Sequence, residues 1–339
     1  MTIDAPIITE LRRSLTAQLS DTVWAIGWSP SGRLAVVTAD GRVMVDRPEQ
    51  VTRPMCGAPV AVAWADDGRV AVSDRHLGLV MAGGGDHRCH ELPRARGIAV
   101  AGRRMIAIGG STVWSLRRVV DGSRAHEDAP TVVDARCSEL HGLAALTGSL
   151  AAVAGTSGVA VVDLALGVVD TRVEIDGAIS IAAHPAADFL AVGDLGGSIH
   201  VLEVGDESAG RELTGYPDHV RLLGWAAGGA WLVATADDEL TCWPAVDTGW
   251  PAEEPICCLD HDEPITALAV SAQHDLVASG DAAGQLALWS MRVPNAPLHT
   301  IDLDGEVTAA VWSVDGTRLA VGTVTGTATV FDVDRGQLA

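Results

Sequence analysis

The stretch GGGDHRCHEL, residues 83–92, gathers two histidines, a cysteine and two acids into ten positions. Imidazole, thiolate and carboxylate groups hold zinc and other borderline metals at about 2.0–2.3 Å. His87, Cys89 and His90 are therefore the candidate metal ligands. The spacing works against them acting alone. On an extended strand, His87, Cys89 and Glu91 share one face while Asp86, Arg88 and His90 take the other. Neighbours on one face sit about 6–7 Å apart. A third ligand must come from elsewhere, with Cys56 and Cys137 the thiols to consider. The HDE run at 261–263 has ligand types too, but consecutive residues rarely converge on one ion. Cys257 and Cys258 are adjacent, so on a strand one thiol faces inward and the other outward.

Other chemistry is thin. The chain has no HExxH, no GxSxG, no phosphate-binding loop and no GxGxxG opening a helix. DLDGE (302–306) has a fragment of calcium-loop character without the remaining ligand spacing, and reads as a tight turn. Acids outnumber bases 44 to 23, and every base is arginine. The absence of lysine excludes a Schiff-base lysine, a Ser-Lys dyad and a Walker A lysine. A net charge of −21 opposes binding to nucleic acid or to an anionic membrane surface. No apolar run approaches the ~20 residues of a membrane span. The N-terminus lacks a basic start followed by an apolar run, and six scattered cysteines without a CxxC pair suit reduced thiols. The expected location is the cytoplasm, and no cofactor is called for.

The elements that must position these residues come from a repeat. A short apolar run ending in a small residue returns eight times: LAVVT at 34, VAVS at 70, IAIG at 106, LAAVAG at 150, LAVG at 190, LVAT at 232, LVASG at 276 and LAVG at 319. Before it stands another apolar run, often closed by tryptophan, as in VWAIGW (23–28), VAVAW (60–64), VRLLGW (220–225) and VTAAVW (307–312). Polar turns such as SPSGR and ADDGR separate the two. A third run follows a second turn, as in IHVLEV (199–204) and LALWS (286–290), and a more polar fourth fits most gaps. Short β-rich runs between Gly/Asp turns predict hairpin-connected antiparallel strands. Four strands recurring at this interval predict an all-β propeller blade. The polar fourth run suits an outermost, water-facing edge.

Here the chain resembles the WD40 repeat family, in a bacterial-type, degenerate form. Blade seven carries the resemblance best, in DHDEPITALAVSAQHDLVASGDAAGQLALWS (260–290). His261 matches the family's histidine before the first strand, Ser279 its Ser/Thr position, Asp281 its turn aspartate and Trp289 its third-strand tryptophan. Blade six offers His219, Thr235, Asp237 and Trp243 in the same order. Blade eight has Phe331 where the family has tryptophan. The Trp-Asp dipeptide is missing from every repeat, and blades two to four match only in hydrophobic pattern. The resemblance implies a structural network in which the histidine hydrogen-bonds the turn aspartate.

The fold expected is one domain over 1–339: eight blades of four antiparallel strands, near 23–55, 60–92, 97–136, 141–173, 178–213, 219–259, 264–303 and 306–333 with 8–19. Seven blades, with blade three disrupted, is the alternative. Too few residues follow VFDVD for another strand, so the segment 8–19 is expected to supply blade eight's outer strand. The function expected is a protein-interaction platform, a monomer whose protein partner has a neutral or basic surface. The polar residues at first-strand entrances, Asp21, Arg96, His141, His219, Asp262 and Glu306, are the candidate contacts. The alternative is a small-molecule or metal-dependent enzyme, or a metal-handling protein, with a polar site at the channel mouth.

Overall fold

The structure, a computed structural model, describes residues 8–52, 57–65, 67–83, 86–92, 95–101, 103–121, 124–127, 130–206, 208, 210–245, 250–252 and 254–335. Among the described residues every sheet is antiparallel, and there are eight of them, the blades of a β-propeller. The second strand of each blade explains the repeat. Leu34–Thr38, Val70–Asp74 and Leu276–Asp281 are buried at every position, because both faces of the strand are covered. A strand buried on both faces reads as a continuous apolar run instead of an alternating one. The third strands are also largely buried, as at Gly158–Asp163 and Gln285–Ser290. Outer strands alternate, with Thr131–Asp134 and Arg211–Thr214 burying only every other residue well.

The chain divides into two compact units. One, Met1–Arg53 with Leu222–Ala339, carries blades one, six, seven and eight; the other, Pro54–Arg221, carries blades two to five. In the first unit, Ile8–Gln18 pairs antiparallel with Thr327–Arg335 and becomes the outer strand of blade eight, as strand counting in the sequence requires. Leu11 stands opposite Val333 and Ala17 opposite Ala328. Side chains reinforce the ladder: Ser14 Oγ donates to Asp332 at 2.9 Å, and Arg12 pairs with the same carboxylate.

Neighbouring blades are joined by two devices. The first is the small residue near the end of the second strand. Val23 of blade one lies over Gly322 of blade eight, where a Cβ would come within 2.2 Å of the valine side chain. Val307 covers Gly280 in the same way, with contacts at 2.5 Å. Within the other unit, Gly193 lies under the Val220 carbonyl, at 2.2 Å from a Cβ placed there. The second device is the tryptophan closing the first strand. Trp312 Nε1 donates to the Ala269 carbonyl of blade seven at 3.1 Å, and Trp28 Nε1 to the Val311 carbonyl of blade eight at 3.3 Å. Arg318 stacks 4.3 Å over the Trp28 ring and donates to the Gly32 carbonyl.

Blade three departs from the expected pattern of four short strands. Its third strand, Thr112–Asp121, overruns the sheet and turns back as Arg124–Glu127, and Thr131–Asp134 then pairs with its first half as the outer strand. Blade three is thus enlarged, and the count of eight stands over the seven-bladed alternative. No helix among the described residues is long and apolar enough to cross a membrane.

Gly322→Ala forces a methyl group into Val23, and overpacking of this kind costs about 1–3 kcal/mol. The variant is expected to melt below wild type in a thermal scan. Deleting the first 20 residues is expected to lower Tm further, because the edge of Thr327–Arg335 is then unpaired; an unchanged Tm would contradict the ladder's contribution.

Candidate functional site

In an antiparallel blade the loop entering the first strand and the turn between second and third strands lie at the same end. That end carries most of the polar side chains singled out in the sequence. Blade seven has the most complete arrangement. His261 Nδ1 lies 2.9 Å from Asp281 Oδ2, and its Nε2 lies 2.7 Å from Ser279 Oγ. Trp289 Nε1 donates to the same hydroxyl at 2.8 Å. Asp281 Oδ1 accepts the main-chain N–H groups of Ala283, Gly284 and Gln285, which holds the turn. The His261 and Asp281 side chains are 0% and 2% exposed. A histidine sealed in this way has no face left for a substrate, so the arrangement fastens the entering loop to the turn.

Different groups occupy this region in other blades, and in blades two and eight they make the same junction. In blade two, Asp74 accepts four main-chain N–H groups, from Gly57, Ala58, His76 and Leu77. Burial pushes its pKa up, but the four donors together outweigh this and hold it below the ordinary carboxylate value. In blade five the histidine comes from the third strand: His200 Nε2 lies 2.8 Å from Asp194 Oδ2, and Asp194 Oδ1 accepts from Gly196 and Ser198. Blade eight reverses the polarity. Its acid, Asp304, sits in the entering loop and accepts from Thr323 and Thr327 at the turn. In blade six, His219 pairs with Asp218 (Nδ1–Oδ1 3.2 Å). Thr235 and Trp243 are buried, and Asp237 takes a left-handed conformation (φ 55°) with its carbonyl accepting from Ile265 N–H.

The 83–92 stretch forms the outer strand of blade two, Asp86–His90, paired with Gly78–Gly83. Cys89 is exposed, and its thiol donates to the Leu77 carbonyl at 3.1 Å. Burial of the sulfur, then Glu91 and Asp74, raise its pKa and disfavour the thiolate a metal needs. His90 is half-buried, whereas the side chain of His87 and all of Cys56 lie outside the described residues. Cys137 is buried. Among the described residues no three His, Cys, Asp or Glu side chains converge as a metal site.

The expected contact residues fall into two groups. In the second unit, Arg96 lies 3.2 Å from Glu139 and its other guanidinium nitrogen 3.4 Å from His141 Nδ1. Burial and then the Arg96 charge lower the His141 pKa, with Glu139 opposing, which disfavours the imidazolium. In the first unit, Asp21 and Glu306 belong to one cluster with the blade-eight turn. Thr22 Oγ1 donates to the Val324 carbonyl at 2.8 Å, and Val324 N–H to the Glu306 carbonyl at 2.9 Å. Asp262 is exposed beside buried His261.

In the first unit, three exposed apolar residues at this end among the described residues were not singled out by sequence: Trp24 at 44%, Val324 at 41% and Leu259 at 69%. Trp24 stands out because of a β-bulge between Val23 and Ala25 that turns its indole away from the sheet. The equivalent bulges hold Thr266 and Thr308, whose hydroxyls clip the next blade's Val307 and Val23 carbonyls. Comparing first strands position by position would have exposed the anomaly: one tryptophan where two other blades carry threonine.

His261→Ala removes one side of a buried hydrogen-bonded pair and is expected to cost about 3 kcal/mol, read by chemical denaturation. Asp74→Asn is expected to cost about 2 kcal/mol at neutral pH. Because the folded-state pKa of Asp74 is depressed, its contribution is complete above the ordinary carboxylate value and is lost as pH falls through the folded value. The gap between wild type and Asp74→Asn should therefore narrow on acidification, and a gap that widened would reject the assignment.

Comparison with known proteins agrees with this geometry. Residues 268–339 match the anaphase-promoting complex subunit 4 WD40 domain, and residues 9–45 match the WD domain, G-beta repeat. The WD repeat-containing protein 55 homologs of Drosophila simulans and Drosophila melanogaster are each 25% identical over 155 residues, 45% of this chain and 30% of theirs. The matched stretch thus spans less than a third of those relatives' length. The Dos1 propeller superposes with a TM-score of 0.80 at 12% identity, covering 97% of this chain and 96% of that one. The computationally designed Ika8 protein gives 0.72 at 19% identity, covering 94% and 99%. The chain is similar to WD repeat proteins in two stretches, and it has the β-propeller fold.

Proposed function

We propose that the chain is a protein-interaction platform whose docking end is the loop-and-turn end of blades six, seven, eight and one. The observation that carries this reading is the composition of that end. Exposed carboxylates stand at Asp21, Asp237, Asp260, Asp262, Glu263 and Asp304, with Glu306 half-buried. In the blade-one turn, Arg42 is committed to Asp40 at 3.0 Å, while Arg221 is exposed where the chain enters blade six. Within this acidic field stand the exposed indole of Trp24 and the side chain of Val324. A large aromatic ringed by polar groups is the usual make-up of an interface hot spot.

The partner this surface suits is a protein segment with arginine or lysine beside an apolar anchor. Charge complementarity speeds encounter and makes binding sensitive to salt. The similarity to WD repeat proteins supports the platform reading, since propellers of that family generally bind protein partners. The sealed His261 network and the absence of a convergent metal cluster among the described residues give the enzyme and metal-handling alternative no support.

Affinity capture with wild type, Trp24→Ala and the pair Asp21→Asn with Glu306→Gln tests the reading. Trp24 is exposed, so its truncation should leave Tm unchanged while weakening partner binding by about 30-fold or more, the loss expected of a hot spot. The acid-to-amide pair should reduce both affinity and its salt dependence. A partner held equally by all three proteins would place the docking surface elsewhere.

A further inference from the structure

Blade six contains a pair of thiols that the interaction reading leaves unused. Cys242 lies on its third strand, Glu239–Pro244, and Cys258 ends its outer strand, Ile256–Cys258. The strands pair with Cys242 opposite Ile256 and Leu240 opposite Cys258, so the two cysteines are diagonal neighbours on one face. Their sulfur atoms are 3.7 Å apart, and both residues are 0% exposed. They pack with Leu240, Ile265 and Trp289 in the core between blades six and seven. Cys257, between them in register, faces outward and is exposed.

We propose that Cys242 and Cys258 form an oxidisable dithiol, converted by a hydroperoxide to a disulfide that clamps the outer strand of blade six. The balance is simple. One thiolate attacks a peroxide oxygen, the O–O bond breaks, and a sulfenic acid and a water or alcohol result. The second sulfur then attacks the sulfenic sulfur, the S–S bond forms and water leaves. Two thiols and one hydroperoxide give one disulfide, and a dithiol reductant reverses the change.

Three features favour this pair. The sulfurs already touch, so bond formation needs local closure and not a refolded blade. The two thiols share a hydrogen bond in which either sulfur can donate, so whichever ionises accepts from the other and its thiolate is stabilised. Access is provided by the edge. Ile256–Cys258 is a three-residue outer strand, and short edge strands open locally at lower cost than central ones. The link also closes the chain between residues 242 and 258, which restricts the unfolded state.

Native full-length protein treated with hydrogen peroxide, quenched by alkylation and mapped by mass spectrometry decides the matter. The expected result is a peptide linked through Cys242 and Cys258, a fall from six alkylatable thiols to four, and a higher Tm that a dithiol reductant reverses. Cys257→Ser should keep the link, and Cys242→Ala and Cys258→Ala should each lose it without a new link to Cys257. Should either alanine variant fail to fold, the wild-type map and Cys257→Ser still give the answer. The proposal is overturned if peroxide doses that oxidise Cys89 and Cys257 leave Cys242 and Cys258 free to alkylate after unfolding. A crosslink with no rise in Tm would overturn the clamp.

Discussion

Thr327–Arg335 is an edge until Ile8–Gln18 lies down beside it. An unpaired strand presents a row of N–H and carbonyl groups that any other extended chain can use. In this protein the row is filled by residues from the far end of the chain, and Gln18 and Thr327 meet across 309 positions of sequence. The contacts that follow depend on that pairing being in register. Leu19 N–H reaches the Gly326 carbonyl, Thr22 reaches Val324, and Val23 settles over Gly322. Trp28 and Arg318 then fasten the opposite end of the same two blades. A one-residue slip in the terminal pairing would turn Leu11, Leu15 and Ala17 away from the core and misplace every contact after them.

A repeated geometry does not require a repeated chemistry. Each blade must satisfy the main-chain groups where the entering loop meets the second turn, because those groups are shielded from water. Blade seven does so with histidine, aspartate, serine and tryptophan, blade two with a single carboxylate, and blade eight with an acid on the loop and hydroxyls on the turn. The demand is geometric and local, so any donor and acceptor of the right reach will serve. This freedom allows the repeats to drift apart in sequence while the blades keep their spacing.

The same freedom set what could be read from the sequence. The second strands were legible because burial on both faces leaves no choice but apolar residues, and in blades seven and eight the glycine near the strand end is demanded by the next blade's valine. The terminal strand was legible by counting, since blade eight lacked a fourth member. Blade three's extra hairpin was not, because RRVVDGSRAHED has charge and β-branched residues in proportions that suit either a loop or a solvated hairpin. At the candidate site, the blade-seven residues stood out through their motif. Asp304 did not, because it inverts the motif's order of acid and hydroxyl. Trp24 shows only when the first strands are set against one another, because a bulge is a property of register between two strands and the residue type alone does not disclose it.

The terminal ladder also sets a timetable for synthesis. Gln18 leaves the ribosome 309 residues before Thr327, its partner in the ladder. At roughly 5–20 residues per second, Ile8–Gln18 waits tens of seconds for Thr327–Arg335 to appear. During that wait it must neither pair with the first complete blade to emerge nor attach to another nascent chain. Its composition suits the delay. Glu10, Arg12 and Arg13 place charges of both signs along a segment whose apolar residues are few, which discourages premature strand addition. The strand that completes blade eight is thus also one built to stay unattached until its partner is made.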